Sequence, residues 1–207
     1  MKKFKIFFLI ISVCSNLYSQ DVEKTETSGE WIVTADIGFS TLEAKDNFKA
    51  TATIEGAFFG KEFIIGSDTS IVTGLGVENV RTDFSNESNQ QVFLKNSYVN
   101  LPLSLRLFYD RPERVSLFAD LGIYGTYLLK AKSQILSDDI EDSENGLGFN
   151  FGVQGALGAK YKFKNEKYSM SFGIRAKNDF ISSYKSSAQE FKTKDAYFFQ
   201  IGLGLIL

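Results

Sequence analysis

The sequence contains no histidine, and it has one cysteine and two prolines among its 207 residues. Histidine is the usual base or proton shuttle of hydrolytic sites, so its absence excludes Ser-His and Asp-His arrangements. The single cysteine, Cys14, has no partner for an intrachain disulfide. The sequence therefore predicts a protein that is not an enzyme and that carries no metal or other cofactor.

Long hydrophobic runs and basic blocks are also missing after residue 20. A transmembrane helix needs about 20 apolar residues, so no such helix is expected. Nucleic acid is not expected as a partner, because a clustered basic surface is its usual requirement. The densest charge run, at 138–144, is acidic and lacks the spacing of a calcium-binding loop, which favours a solvated loop.

The first twenty residues, MKKFKIFFLIISVCSNLYSQ, combine three lysines, a short apolar core and a small polar ending. This order is typical of a secretory signal peptide, which we place at residues 1–19. A lipoprotein signal with Cys14 as the lipidated residue is the alternative, although Val13 is bulky for the position before it. The polar residues 20–30 show no period and are expected to form a flexible leader.

From Trp31 to Leu207 the dominant signal is an alternation of apolar and polar residues with a period of two, which is typical of β-strands. No helical period occurs in this range, so it is predicted to be one all-β domain of eight antiparallel strands joined in an up-and-down order. The segments are WIVTADIGFST, TATIEGAFF, SIVTGLGVEN, YVNLPLSLRLFY, RVSLFADLGIYGTY, GLGFNFGVQGALGAKYKF, YSMSFGIRAK and DAYFFQIGLGLIL.

The bulk of the apolar side chains indicates which face of these strands points outward. An eight-stranded barrel has an interior that side chains only just fill, so a glycine- and serine-rich face suits the interior and the Phe/Leu/Tyr face does not. We therefore predict a transmembrane β-barrel with lipid as its partner. A soluble barrel or two stacked sheets around an apolar interior remains the alternative.

Two short segments resemble bacterial outer-membrane barrels. QIGLGLIL is similar to their C-terminal assembly signal, with Gln200, Gly202, Leu205 and Leu207 in the matching places. SYVNLPLSLRLFYD resembles the fourth strand of the small porin-family outer-membrane β-barrel domains. The resemblance implies insertion into the cell outer membrane by the barrel-assembly machinery, with both termini on the periplasmic side.

Charged residues on the polar face are expected to meet inside the barrel. Opposite charges in a confined space stabilise one another, which favours a plug of ion pairs over an ion-selective path. We place there Asp36, Glu55, Glu78, Arg106, Asp120, Lys160 and Arg175.

Aromatic residues near the strand ends are predicted to form girdles at the two membrane interfaces. Those nearest the periplasm are Trp31, Tyr109, Phe163 and Tyr168, and those nearest the cell exterior are Phe39, Phe84, Tyr127 and Phe180. Pro102 lies inside a predicted strand, where it cannot donate a hydrogen bond, so a β-bulge is expected there.

These observations predict an outer-membrane barrel with a structural or adhesive role that its outer loops carry out. A narrow porin-like channel, or a barrel subunit of a secretion or surface-assembly complex, is the first alternative. A soluble periplasmic or secreted barrel that binds an apolar ligand is an alternative of another class.

Overall fold

The computed structural model describes residues 29–44, 49–85, 91–109, 114–135, 140–164, 167–184 and 191–206. These residues form a closed barrel of eight antiparallel strands in sequence order, as the alternation predicts. The strands are β1 (Gly29–Ala44), β2 (Lys49–Ile64), β3 (Thr69–Ser85), β4 (Gln91–Tyr109), β5 (Val115–Ile135), β6 (Ile140–Lys162), β7 (Tyr168–Tyr184) and β8 (Phe191–Ile206).

Pairing between β1 and β8 closes the barrel, from Glu30 opposite Ile206 to Ala44 opposite Phe191. Closure gives every strand two hydrogen-bonded neighbours, so the described sheet has no open edge. Within the described ranges, no helix is long and apolar enough to cross a membrane. We call the end at which β1 begins and β8 ends the terminal end, and the opposite end the loop end.

The apolar side chains face outward. In β4, Leu101, Leu103 and Leu105 are about half exposed, whereas Ser104 and Arg106 between and beside them are buried. The same pattern holds in the last strand, where Phe199 is 66% exposed and Phe198 is 2% exposed. A soluble barrel with an apolar interior is therefore the wrong interpretation, because water would contact the whole band.

The height of this apolar band matches the thickness of the hydrocarbon layer of an outer membrane. On β4 the outward residues are apolar from Val99 to Tyr109. At about 3.3 Å per residue this segment is about 33 Å long, and a tilt of about 40° reduces its height to about 25 Å. That height equals the apolar band of outer-membrane barrels.

Strand β2 is oriented opposite to the sequence interpretation. We expected Ala52 and Ile54 outside and Glu55 inside, but both apolar residues are buried and Glu55 is exposed. The register explains this result, because Glu55 lies opposite Ile37, which faces outward. Directly opposed residues of an antiparallel pair point to the same side of the sheet.

At Pro102 the β3–β4 pairing is interrupted, between Thr73 opposite Leu103 and Gly76 opposite Asn100, but its register is unchanged. No register shift accompanies Pro102, so the predicted bulge is wrong there, and Thr73 instead donates a side-chain hydrogen bond to the Pro102 carbonyl at 2.8 Å. Register shifts lie nearer the loop end, in four strand pairs: β1–β8, β4–β5, β5–β6 and β6–β7. The first involves Asp195, whose φ of 46° is the left-handed conformation common in bulges.

Most of the predicted girdle aromatics lie on the outer surface. Trp31 stacks on Phe59 with ring centroids 5.2 Å apart. The exposed members are Phe39, Tyr109, Tyr127, Phe163, Tyr168 and Phe180. Phe84 is an exception, because it lies opposite the buried Val92 on the inward side of β3.

Candidate functional site

The interior near the terminal end contains a buried ionic group centred on Arg106. Its guanidinium donates two hydrogen bonds to Asp120, at 2.7 and 2.8 Å, and one to Glu62 at 3.0 Å. Its carbon lies 4.2 Å from the ring centroid of Phe118, so the ring covers one face of the cation. This arrangement leaves the buried guanidinium well compensated.

Lys160 extends this group to the first strand. Its ammonium contacts Glu62 at 3.0 Å and also forms an ion pair with Glu30, to which Ser169 donates a hydrogen bond. We call Glu30, Glu62, Arg106, Asp120 and Lys160 the terminal-end cluster. Glu30 is a correction to the predicted leader, because β1 begins at Gly29 and the Glu30 carboxylate is buried in the barrel.

A second buried ionic group lies nearer the loop end. Arg175 donates to Asp36 at 2.8 Å and to Glu78 at 3.3 Å. Lys177 contacts both carboxylate oxygens of Glu78, at 2.7 and 2.9 Å, and Asn100 donates to the same group at 3.0 Å. Because Glu78 accepts hydrogen bonds from both cations, charged residues of three strands belong to one network.

Asp179 completes this second group without an ion pair in the described contacts. Its carboxylate accepts hydrogen bonds from Tyr124 at 2.5 Å, Asn150 at 2.8 Å and the Thr193 backbone N–H at 2.9 Å. Such a set of donors offsets much of the cost of burying a carboxylate. We call Asp36, Glu78, Arg175, Lys177 and Asp179 the loop-end cluster.

Aromatic rings fill the space that small residues leave around the clusters. Phe58 lies over the paired glycines Gly60 and Gly74, where an added Cβ would lie within 3 Å of the ring. Phe118 lies over Gly158 in the same way. The glycines therefore act as spacers that let large rings lie flat inside a narrow barrel.

Two small cavities lie among the charged residues of the described interior. A cavity of about 40 Å³ lies between the clusters, with Ser104, Arg106, Gln154 and Arg175 in its lining. A second, of about 60 Å³, lies beside Glu30 and Lys160 at the terminal end. Each has room for one or a few water molecules, and neither has room for an organic solute.

The structure places six of the seven predicted interior residues inside the barrel, namely Asp36, Glu78, Arg106, Asp120, Lys160 and Arg175. They divide into two clusters instead of one network. Glu55 is the correction, because it lies on the outer surface and pairs with Arg81 at 3.1 Å.

The sequence analysis did not predict four of the charged residues that lie inside the described barrel: Glu30, Glu62, Lys177 and Asp179. Lys177 and Asp179 share the parity of Arg175, so extending the alternation beyond the predicted end of that strand would have found them. Glu62 became predictable only with the correct face of β2. Glu30 lay outside the predicted barrel.

Three of the four predicted assembly-signal residues lie in the last strand. Gln200 donates a hydrogen bond to Thr34 at 3.4 Å, and Gly202 is buried against Ser171 and Thr34. Leu205 lies opposite Trp31 and Tyr168, while Leu207 lies outside the described residues. Recognition by the assembly machinery stays a prediction.

A closed antiparallel barrel with an apolar exterior of membrane height and a charged interior defines an integral outer-membrane β-barrel protein. Residues 28–180 match the family model described as outer membrane protein beta-barrel domain. The chain belongs to this family and is located in the outer membrane. No cluster of side chains suited to a metal ion occurs in the described part of the chain.

Solved outer-membrane barrels are among the structures similar to this chain. OprG from Pseudomonas aeruginosa is 15% identical with a TM-score of 0.59, over 87% of this chain and 97% of that one. Neisserial surface protein A is 10% identical with a TM-score of 0.49, over 86% and 97% of the two chains. None of the curated proteins matches the sequence.

Proposed function

We propose that this protein is a non-conducting, non-enzymatic outer-membrane barrel that presents its loop-end strands for adhesion or binding at the cell surface. The observation that carries the proposal is the interior of the barrel, in which two ionic clusters lie in series along the axis. A barrel without a transport path contributes to the cell through its stability in the membrane and through its exposed end.

The ionic clusters oppose the passage of solutes along the barrel axis. Arg106, Lys160 and Arg175 connect non-adjacent strands across the interior through hydrogen bonds of 3.0–3.3 Å. A solute would have to separate these buried pairs, and breaking one such pair costs about 3–5 kcal/mol. The absence of histidine supports a role without catalysis.

The longest strands form the surface for the proposed interaction. Strands β5 and β6 have 21 and 23 residues, whereas β1, β2 and β8 have 16. The outward band of β5 reaches Leu129, and pairing with β6 continues to Ile135 opposite Ile140. Six further residues add about 20 Å along the strand beyond the membrane band.

Purified protein is expected to give no stepwise conductance in planar bilayers, because the clusters close the interior. As a positive control for passage, the variant R106A/R175A removes the two arginines that cross the interior. Current through that variant, with none through the native chain, would show that the clusters seal the barrel. Discrete openings of the native protein would contradict the proposal and favour the porin-like channel.

Shortening the β5–β6 hairpin is expected to abolish surface attachment and to leave the barrel folded. The variant joins residue 129 to residue 147 through a short Asn-Gly turn. Attachment of cells that display each form to surfaces and to other cells is the measurement, and heat-modifiable gel migration verifies folding. Equal attachment by folded native and shortened forms would refute the adhesive role of this hairpin.

A further inference from the structure

The two ionic clusters lie on either side of the cavity of about 40 Å³, which we call the inter-cluster cavity. Asp120 of the terminal-end cluster and Arg175 of the loop-end cluster both line it. The register places Asp120 opposite Ala156, and Ala156 opposite Arg175, in one row across β5, β6 and β7. The small side chain of Ala156 therefore leaves space between an anion of one cluster and a cation of the other.

Two polar side chains in the lining of this cavity carry atoms that no described protein group satisfies. Gln154 donates through Nε2 to the Ser104 hydroxyl at 2.8 Å, but its Oε1 has no hydrogen-bond partner among the described residues. Arg175 donates through one terminal nitrogen to Asp36 and Glu78, whereas its Nε has no partner in the described part of the chain. Gln154 and Arg175 are each 8% exposed, so bulk solvent does not reach these atoms freely.

The unpaired acceptor and the unpaired donor belong to neighbouring positions. Gln154 lies opposite Lys177, two residues beyond Arg175, so Gln154 and Arg175 are diagonal neighbours on the inward face of β6 and β7. Cβ atoms at such positions are about 7 Å apart, which lets two long side chains contact the same small molecule. Leaving both atoms buried without a partner would destabilise the barrel, because each loses its hydrogen bonds to water on folding.

Water is the ligand that fits this pair of atoms. A cation would be repelled by the guanidinium groups of Arg106 and Arg175, which both line the cavity. An anion would be repelled by the Asp120 carboxylate and by the Gln154 carbonyl oxygen. A water molecule accepts a hydrogen bond from one atom and donates to the other, and the cavity exceeds the roughly 10–15 Å³ that a bound water requires.

We propose that the inter-cluster cavity is a binding site for water, and that the bound water joins the two clusters into one hydrogen-bonded unit. Water that accepts from Arg175 Nε donates one hydrogen to Gln154 Oε1 and the other to the Asp120 carboxylate. That carboxylate accepts two hydrogen bonds from Arg106 and keeps further lone pairs for water. The three bonds are the usual number for a buried water.

The first test compares two substitutions of equal size that fill the cavity, Ala156→Val and Ala156→Thr. Both displace water, but only the threonine hydroxyl can replace its hydrogen bonds. We expect the equilibrium constant for unfolding in lipid vesicles to be on the order of tenfold larger for A156V than for A156T. The control pair is Ala52→Val and Ala52→Thr, in the apolar group around Leu42 and Ile54, where the valine variant should be the more stable.

The second test observes the native chain directly. In ¹⁵N-labelled protein in detergent micelles, the Nε–H signal of Arg175 is assigned by through-bond correlations. We expect a dipolar cross-peak between this proton and water, with a sign that distinguishes bound water from chemical exchange. The same cross-peak should be lost in A156V, because the added methyl groups occupy the space of the water.

Two results would overturn the proposal. One is A156V at least as stable as A156T, which would describe a dry or merely crowded cavity. The other is a native Arg175 Nε–H without a dipolar contact to water. Heat-modifiable migration verifies that the variants are folded. Because neither experiment measures conductance or attachment, both succeed or fail separately from the proposed function.

Discussion

Arg106→Met is expected to destabilise the barrel by about 3–5 kcal/mol, because it leaves the buried Asp120 without its cation and leaves Glu62 with Lys160 alone. Glu62 and Asp120 are both largely buried and receive hydrogen bonds of 2.7–3.0 Å from this guanidinium. Methionine preserves much of the side-chain volume, so the loss is electrostatic. The measurement is urea unfolding in lipid vesicles, followed by the fluorescence of Trp31, the single tryptophan.

The matched control for this prediction is Arg81→Met on the outer surface. Arg81 also pairs with a carboxylate, Glu55, at 3.1 Å, but both side chains are about half exposed. Water compensates the remaining charge, so the expected loss is about 0–1 kcal/mol. Similar losses for the two variants would show that the interior pairs contribute no more than surface pairs.

Gly158→Ala is expected to lower the free energy of unfolding by about 3 kcal/mol, or to prevent assembly of the barrel, because the Cβ of the new alanine has no space. An ideal Cβ at this position would lie 2.4 Å from the Phe118 ring and 2.4 Å from the backbone oxygen of Phe172. The ring covers the Arg106 guanidinium, so moving it also disturbs the terminal-end cluster. The fraction of folded protein after refolding into vesicles and the unfolding midpoint measure the effect.

Gly155→Ala in the same strand is the control for this second prediction. Its Cβ would meet only the Asp120 backbone oxygen, at 3.4 Å, and should change stability little. Phe118→Leu combined with Gly158→Ala relieves the ring contact and leaves the contact with the backbone. Partial recovery in that double variant is the expected result, whereas a fully stable Gly158→Ala variant would disprove the spacer role.

Much of the fold was predictable because strand alternation is a local property. Seven of the eight segments gave the correct outward face, since most of their bulky residues, such as Leu103 and Phe199, occupy the outward parity. The outward face of β2 was predicted wrongly because this strand has apolar residues on both parities. Ile54 and Phe58 lie on one parity, and Phe59 and Phe63 lie on the other. Only the pairing of Glu55 with Ile37 resolves its orientation.

The partners inside the barrel were much less predictable. Arg175 and Asp36 are 139 residues apart in sequence, Lys160 and Glu62 are 98 apart, and Arg106 and Glu62 are 44 apart. The sequence indicates which charges face inward, but every inward cation is a possible partner of every inward carboxylate. The two-cluster arrangement depends on the relative heights of residues on non-adjacent strands.

The sequence by itself determined the number of strands, their order and the apolar exterior, because these follow from side-chain alternation and from turns between neighbouring segments. The tertiary structure alone decided that Glu62 joins the interior, that Glu55 leaves it, and that the interior charges form two ionic clusters. The physical reason is the stagger of strands in a closed barrel, which sets the heights of distant residues and is not encoded in any single strand.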